Sequence, residues 1–495
     1  MKKLAAFMMA MITAATATIN VYALEGEMGY FGGITPGTKI PTGIAMAQEK
    51  FEREKSYTLE YAENIYLSGE AIPVYGTLEI RPGEVNPDNP TGEYTETYIV
   101  KAASADGRSE IARTLTLRTM YLYNEAVGQI TKTSTVTRWV ETVVVNGMTY
   151  YLDSNKSSFS KSILEDLTPG VMYYSGDVYY KAVYNDVTGG GSDVVINVDS
   201  RVYGYDQAFA KSETQVRNVA IDTGSNQYFI QETPTITMNK ELSYASNDPF
   251  AISFAGNYKE MISGSGALQY NILLGDAQLF DDEKTGVIGV FDVPTIEQLA
   301  LPTLDQLLAH PAKADIEKMY SMEIFDVNPL VFSPNQVVTR GEYIKMIVKA
   351  LRIPLPEINA KTNVSPFNDL DIDSALYPYV LAAYDAGLIS GGTVSPSTYL
   401  TMQEMIVFNV RAIGLERLGF GIGVGQTPYL DDNSIADYAK SAVYAASQIG
   451  IIPSTNGYIF PTKVITYADC AAMMNQLIDY LRYDLQKDYN QHMMM

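Results

Sequence analysis

Apolar and polar residues alternate strictly through Arg113-Thr114-Leu115-Thr116-Leu117-Arg118, the period-two mark of a strand with one buried face. Further strands are expected at Tyr98–Ala102, Val178–Tyr184, Val194–Val198 and Tyr228–Gln231. Val143–Val145 and Met148–Tyr151 flank Asn146-Gly147, a strong hairpin signal because both turn positions need positive φ. Pro87-Asp88-Asn89-Pro90 reads as a turn and Gly189–Gly191 as a flexible loop. Helical stretches before residue 290 are few, with short ones expected around Ile44–Glu54 and Lys161–Leu167. The pattern predicts an antiparallel, sandwich-like all-β region over 24–290, as one domain or two stacked ones.

The period changes in the last third, where one phrase occurs three times. Pro334, Pro396 and Pro461 are each followed, after four residues, by Thr339, Thr401 and Thr466, and then by the acids Glu342, Glu404 and Asp469. Thr-x-x-acid is a capping box, in which the hydroxyl accepts from the third helical N–H and the acid accepts from the Thr N–H. Apolar residues before each Thr (Val338, Leu400, Ile465) and at the fourth helical position (Tyr343, Met405, Cys470) complete a hydrophobic staple. A further helix is expected ahead of each box, over Ala312–Met322, Leu376–Ala386 and Ile435–Ile449. Gly387 and Gly450 follow the second and third as natural stops, and Glu323 stands there in the first. Asp305, Asp369 and Asp431 precede these helices and are expected to order loops. Repetition at this period means one supersecondary unit stacked on itself.

The recurring order resembles the Phe-x-Asp, helix, Gly-Ile-Ile, Phe-x-Pro-x4-Thr-Arg-Ala-Glu pattern of S-layer homology domains. Phe367-Asn368-Asp369, Gly387-Leu388-Ile389 and Gly450-Ile451-Ile452 carry the pattern. The units are placed at 300–358, 363–420 and 426–485, with a flexible tail over 486–495. The resemblance implies an all-α, pseudo-threefold helical assembly that binds secondary cell-wall polysaccharide, often pyruvylated, in grooves between repeats, in association with peptidoglycan. It points to Arg340, Thr339, Glu342, Asp369 and Tyr438 as polysaccharide-binding residues, and to Thr401, Glu404, Thr466 and Asp469 as helix caps. An arginine fork beside a helix N-terminus suits an anionic sugar ketal. The units differ where the ligand is expected: Arg340 becomes Met402 and Tyr467. Of the aligned positions Pro311, Ala375 and Tyr438, only the last is aromatic. One groove, at Arg340, is expected to be competent, and Arg340 is either a ligand contact or half of an inter-repeat ion pair.

Composition narrows the function. Lys2 and Lys3, the apolar run Leu4–Val21 and Val21-Tyr22-Ala23 form an expected signal peptide over 1–23. Without its two lysines the net charge of −22 becomes −24, which argues against nucleic-acid partners and suits an extracellular surface. The single cysteine, Cys470, cannot form an intramolecular disulfide, which fits a bacterial secreted chain. The only histidines are His310 and His492, so 24–290 holds no histidine triad, histidine metal site or thiolate centre. Asp281-Asp282-Glu283 lacks the alternating oxygen pattern of a calcium loop. Tyrosine is abundant, 37 of 495 residues, as a strand residue with an apolar body and a wet tip.

The expectation is a non-catalytic protein without cofactor or metal, displayed at the bacterial cell wall or S-layer and able to self-associate in an array. Three alternatives stay open: an anchored carbohydrate-binding or adhesive module, an anchored glycan hydrolase using paired carboxylates, and a barrel-bearing envelope protein.

Overall fold

The computed structural model describes residues 33–36, 56–81, 83, 90–124, 126–186, 193–245, 257–274, 284–358, 365–416, 426–452 and 454–489. The leader over 1–23, the helix around 44–54, the Gly189–Gly191 loop, most of the Pro87–Pro90 turn and Asp281–Glu283 lie outside these residues.

Fourteen antiparallel strands form one sheet among the described residues. They are β1 (Tyr57–Ile65), β2 (Ile72–Arg81), β3 (Thr91–Ala103), β4 (Glu110–Asn124), β5 (Gln129–Val145), β6 (Met148–Leu152) and β7 (Ser158–Leu167). The chain continues through β8 (Val171–Asp186), β9 (Val194–Gln207), β10 (Ala210–Asp222), β11 (Gln227–Ala245), β12 (Asn257–Leu274), β13 (Lys284–Phe291) and β14 (Thr295–Leu299). Sequential neighbours pair throughout, except that β8 takes both β6 and β7, β5 takes β7, and β14 returns to β12. The strand region thus runs past 290, to Leu299. The sheet is continuous, where a sandwich-like region of one domain or two stacked ones was expected. It curls so that the inward faces of β1 through β13 enclose one apolar core, which includes Leu59, Leu115, Trp139, Ile230 and Leu268. Residues 33–36 lie in the seam: Ile34 bridges to Ala62, and the Gly266 backbone packs directly against the Thr35 carbonyl.

The Arg113–Arg118 alternation forms β4, with Leu115 and Leu117 inward. Parity also sends Arg113 inward, where it is clamped by Glu63 (3.0 Å) and Glu141 (2.8 Å). Asn146 (φ 50°) and Gly147 (φ 87°) make the β5–β6 turn. The helix expected over Lys161–Leu167 is instead part of β7. Phe159, Lys161, Ile163 and Glu165 all point inward, but two of the four are charged, which masks the apolar alternation. Their charges are met inside, where Glu165 accepts from Lys132. The outward face carries Arg81, Lys101, Arg118, Arg138, Lys181, Asp199 and Arg201, unlike the apolar belt of a membrane barrel. No helix among the described residues is long and apolar enough to cross a membrane.

Three two-helix units follow: α1 (Lys313–Ser321) and α2 (Arg340–Ala350), α3 (Tyr377–Asp385) and α4 (Met402–Ala412), α5 (Asp437–Gln448) and α6 (Tyr467–Asp479). The helices pack chiefly between units, α2 on α3, α4 on α5 and α6 on α1. Their apolar faces form a second core that also takes in Val171, Tyr173, Tyr205, Phe209 and Tyr258 from the sheet. The two regions are therefore one packed body. The expected flexible tail is corrected up to Tyr489. After a π-turn at Tyr480–Asp484, α7 (Leu485–Asp488) leads to Tyr489, whose ring stacks on Tyr173 at 5.5 Å while its hydroxyl donates to the Tyr174 carbonyl. Burying those rings is what orders the segment. Residues 490–495 lie outside the described part.

Candidate functional site: the seams between the helical units

Three residues with no polar side chain tie the units together. The Val338 N–H donates to the Ile465 carbonyl, Ile465 to Leu400, and Leu400 to Val338, each at 2.9 Å. All three are fully buried, so the ring of hydrogen bonds is shielded from water and closes the third unit on the first. The same cyclic order holds at the helix starts. Arg340 and Gly341 donate to the Thr398 and Pro396 carbonyls of the second unit. Met402 and Gln403 donate to Lys463 and Pro461 of the third, and Tyr467 and Ala468 to Gln336 and Pro334 of the first. The repeated proline loop is thus the acceptor for the preceding unit's helix.

Capping boxes are present at Thr339/Glu342, Thr401/Glu404 and Thr466/Asp469. Together with the loop carbonyls they occupy the first backbone donors of α2, α4 and α6. The helix N-terminus expected to offer donors to an anion has therefore spent them inside the protein, and side chains must make any ligand contact.

At two of the three seams the position after the Thr reaches across to the capping acid of the next unit. Arg340 donates through Nη1 to Glu404 Oε1 at 2.5 Å and through Nε to the Val394 carbonyl at 3.1 Å. Its guanidinium lies 5.4 Å from the Phe408 ring centroid, a cation–π distance. The side chain is 23% exposed, and its remaining amino group, Nη2, makes no hydrogen bond within the described chain. At the next seam Met402 is buried, and Lys463 Nζ contacts Asp469 instead at 2.7 Å. Burial works to raise the Asp469 carboxyl, but Lys463 and the Thr466 N–H outweigh it and hold it below its ordinary value. At the third seam the Tyr467 hydroxyl donates to Glu342 at 3.3 Å. Burial, and then the Glu342 charge, push that hydroxyl well above the usual phenol range.

Asp369 and Tyr438 join Arg340. The Asp369 carboxylate accepts from the N–H groups of Val394 (2.9 Å) and Ser395 (2.6 Å). The Val394 bond, then Ser395 and the nearby Arg340 charge, keep it below the ordinary carboxylate range. It thereby orders the loop whose Val394 carbonyl holds Arg340, and Ser395 sits there at φ 55°. Asp431 does the same for Ile459 and Phe460 (φ 53°). Tyr438 is half exposed, and its hydroxyl is raised by partial burial and then by the charge of Glu404, against Arg340 and Arg411. Thr339 and Glu342 lie apart from this group, at the seam with Tyr467. Glu404 and Phe408, assigned no ligand role from sequence, belong to it. Cyclic closure was the missing information, since an acid read as a cap within its own unit also meets the preceding unit's arginine.

Residues 309–344 and 366–406 match the model of the S-layer homology domain. The C-terminal region carries S-layer homology domains. The matched stretches are the first two units, and the third, 426–485, repeats their capping and loop geometry. The strand region has no family match. S-layer homology domains indicate attachment at the cell surface, on the cell wall.

Among curated proteins, the chain is 30% identical over 181 residues to an exoglucanase, XynX, of Acetivibrio thermocellus. It is 29% identical over 181 residues to an amylopullulanase of Thermoanaerobacterium thermosulfurigenes, and 27% identical over 168 residues to an endoglucanase of Bacillus sp. strain KSM-635. These alignments cover 36%, 36% and 33% of this chain but only 16%, 10% and 17% of those proteins. The chain therefore spans less than a fifth of the relatives it matches.

Proposed function

We propose that this is a non-catalytic surface protein held on the bacterial cell wall by its S-layer homology region, with the strand region displayed outward as an S-layer or S-layer-associated component. In this reading the three units form a pseudo-threefold assembly, and secondary cell-wall polysaccharide docks at the seam of Arg340, Glu404, Asp369 and Tyr438. The carrying observation is the partly exposed Arg340. Glu404, the Val394 carbonyl and Phe408 fix its guanidinium, while Nη2, which has no hydrogen-bond partner among the described residues, is placed to donate to an anionic group such as a pyruvate ketal. Neither other seam has an arginine at that position.

The relatives' names raise the alternative of an anchored glycan hydrolase. Against it, Glu63, Glu141 and Glu232, which line one cavity in the sheet interior, are buried, the first two locked on Arg113 and the third on Arg217. The whole chain from residue 24 is expected to pellet with purified walls and to stay in solution with walls stripped of their secondary polymer. Equal pelleting with both would overturn the polysaccharide reading. The whole chain is needed because the helical core is completed by sheet residues.

A further inference from the structure

The outward face of β7 to β12 forms a groove of roughly 760 Å³, within the usual range of ligand sites. The groove crosses the strands from Ser158 on β7 to Leu273 on β12, and the core residues Phe159, Val198, Val219 and Ile230 lie along its floor. Two adjacent rows of side chains line it. In one, Tyr179 stands opposite Asp199, and Asp199 opposite Asn218. In the other, Lys181 stands opposite Asn197, followed by the small Ala220 and then Phe229.

The chemistry of this lining is specific. Tyr179 and Phe229 are 49% and 48% exposed, so each offers a ring face to solvent. Lys181, Asn197, Asp199 and Asn218 are exposed and make no side-chain hydrogen bond or ion pair within the described chain. One lysine and one aspartate cancel, so the groove is neutral within a chain of net charge −22. The backbone beneath is already paired in the sheet ladders, which leaves recognition to side chains. Rings beside amides and charges fit a ligand with apolar ring faces and many hydroxyls, whereas an apolar protein patch would leave those four polar groups unmet. Adjacent strands are about 4.8 Å apart, close to the length of one pyranose unit. A chain lying across the strands would meet a new row member at each sugar.

We infer that this groove binds a neutral oligosaccharide of several pyranose units, as a site separate from the Arg340 seam. Titration calorimetry of the whole chain from residue 24 with β-1,4-gluco-, β-1,4-xylo- and α-1,4-gluco-hexasaccharides tests it, with polygalacturonate as the charged comparison. At least one neutral hexasaccharide should bind. Tyr179→Ala and Phe229→Ala should each weaken it about tenfold, while Arg340→Ala leaves it unchanged. Both substitutions are at exposed positions, and circular dichroism checks the fold. The inference fails if none of the three binds, if polygalacturonate alone binds, if neither ring truncation matters, or if Arg340→Ala removes the binding. Wall pelleting of Tyr179→Ala should remain as in the parent, so failure here and failure of wall anchoring are read separately.

Discussion

Arg340 Nη1 and Glu404 Oε1 lie 2.5 Å apart across the seam between the first two helical units. The pair is unequal, because Glu404 also accepts from the N–H and hydroxyl of Thr401, whereas Arg340 caps nothing. Arg340→Ala should therefore lower unfolding free energy by no more than about 1 kcal/mol, as for other partly exposed ion pairs. Glu404→Ala should cost about 2 kcal/mol, because it removes the box and takes the acceptor from three donors, the Thr401 N–H, the Thr401 hydroxyl and Arg340 Nη1. Urea unfolding gives both values. The reverse order would make Arg340 a structural clasp rather than a ligand contact.

Glu323 occupies the left-handed position after α1 at φ 58°, where Gly387 and Gly450 follow the other two first helices at φ 76° and 73°. A side chain there is strained, and glycine is not. Glu323→Gly should raise stability by about 1 kcal/mol, seen as a higher urea midpoint with unchanged slope. A lower midpoint would show that the Glu323 side chain makes a contact that outweighs the strain.

Tyr489 joins the end of the chain to the sheet. Its ring lies against Tyr173, Tyr203 and Tyr205, and the same C-terminal segment is held by Gln207, which donates to the Leu481 carbonyl at 2.7 Å. Tyr489→Ala should cost about 3 kcal/mol and lower the thermal midpoint of sheet and helices together. Separate melting of the two regions would contradict a shared core.

Lys240, only 8% exposed, lies near Arg352 and Arg482, both of which contact the buried Glu260. Burial, and then Arg352, push the Lys240 ammonium down to about 8 from 10.5, against the pull of Glu260 and Glu297. Between those values the unfolded chain holds a proton that the folded chain has lost. Stability therefore rises with pH across that window, and the full penalty applies below it. Lys240→Met should stabilise by up to about 3 kcal/mol near neutral pH, with the gain fading as pH approaches about 10.5. A gain that does not depend on pH would mean packing, not charge, is responsible.

Much of the helical region is legible in sequence because its information is local. A Thr, an acid three residues on and flanking apolar positions suffice for each cap, and the observed helices start where those boxes stand. Strand existence is equally legible at Arg113–Arg118 and around Asn146-Gly147. What the sequence hides is non-local. Lys161 and Glu165 face inward, and only partners on other strands make that tolerable, so β7 reads as a helix. Tyr489 looks like tail until Tyr173 is seen beside it. Glu404 looks like a cap alone until the ring through Val338, Ile465 and Leu400 brings Arg340 to it.

The central claim is that one seam, built on Arg340, holds the wall polymer. Calorimetric titration of the whole chain with purified secondary wall polysaccharide tests it most directly. Lys463→Ala is the comparison, since Met402 and Tyr467 are buried and their truncation would disturb the core. One binding site per chain is expected, weakened about tenfold or more by Arg340→Ala and unchanged by Lys463→Ala. Equal weakening by both substitutions, or undiminished binding by Arg340→Ala, would contradict it.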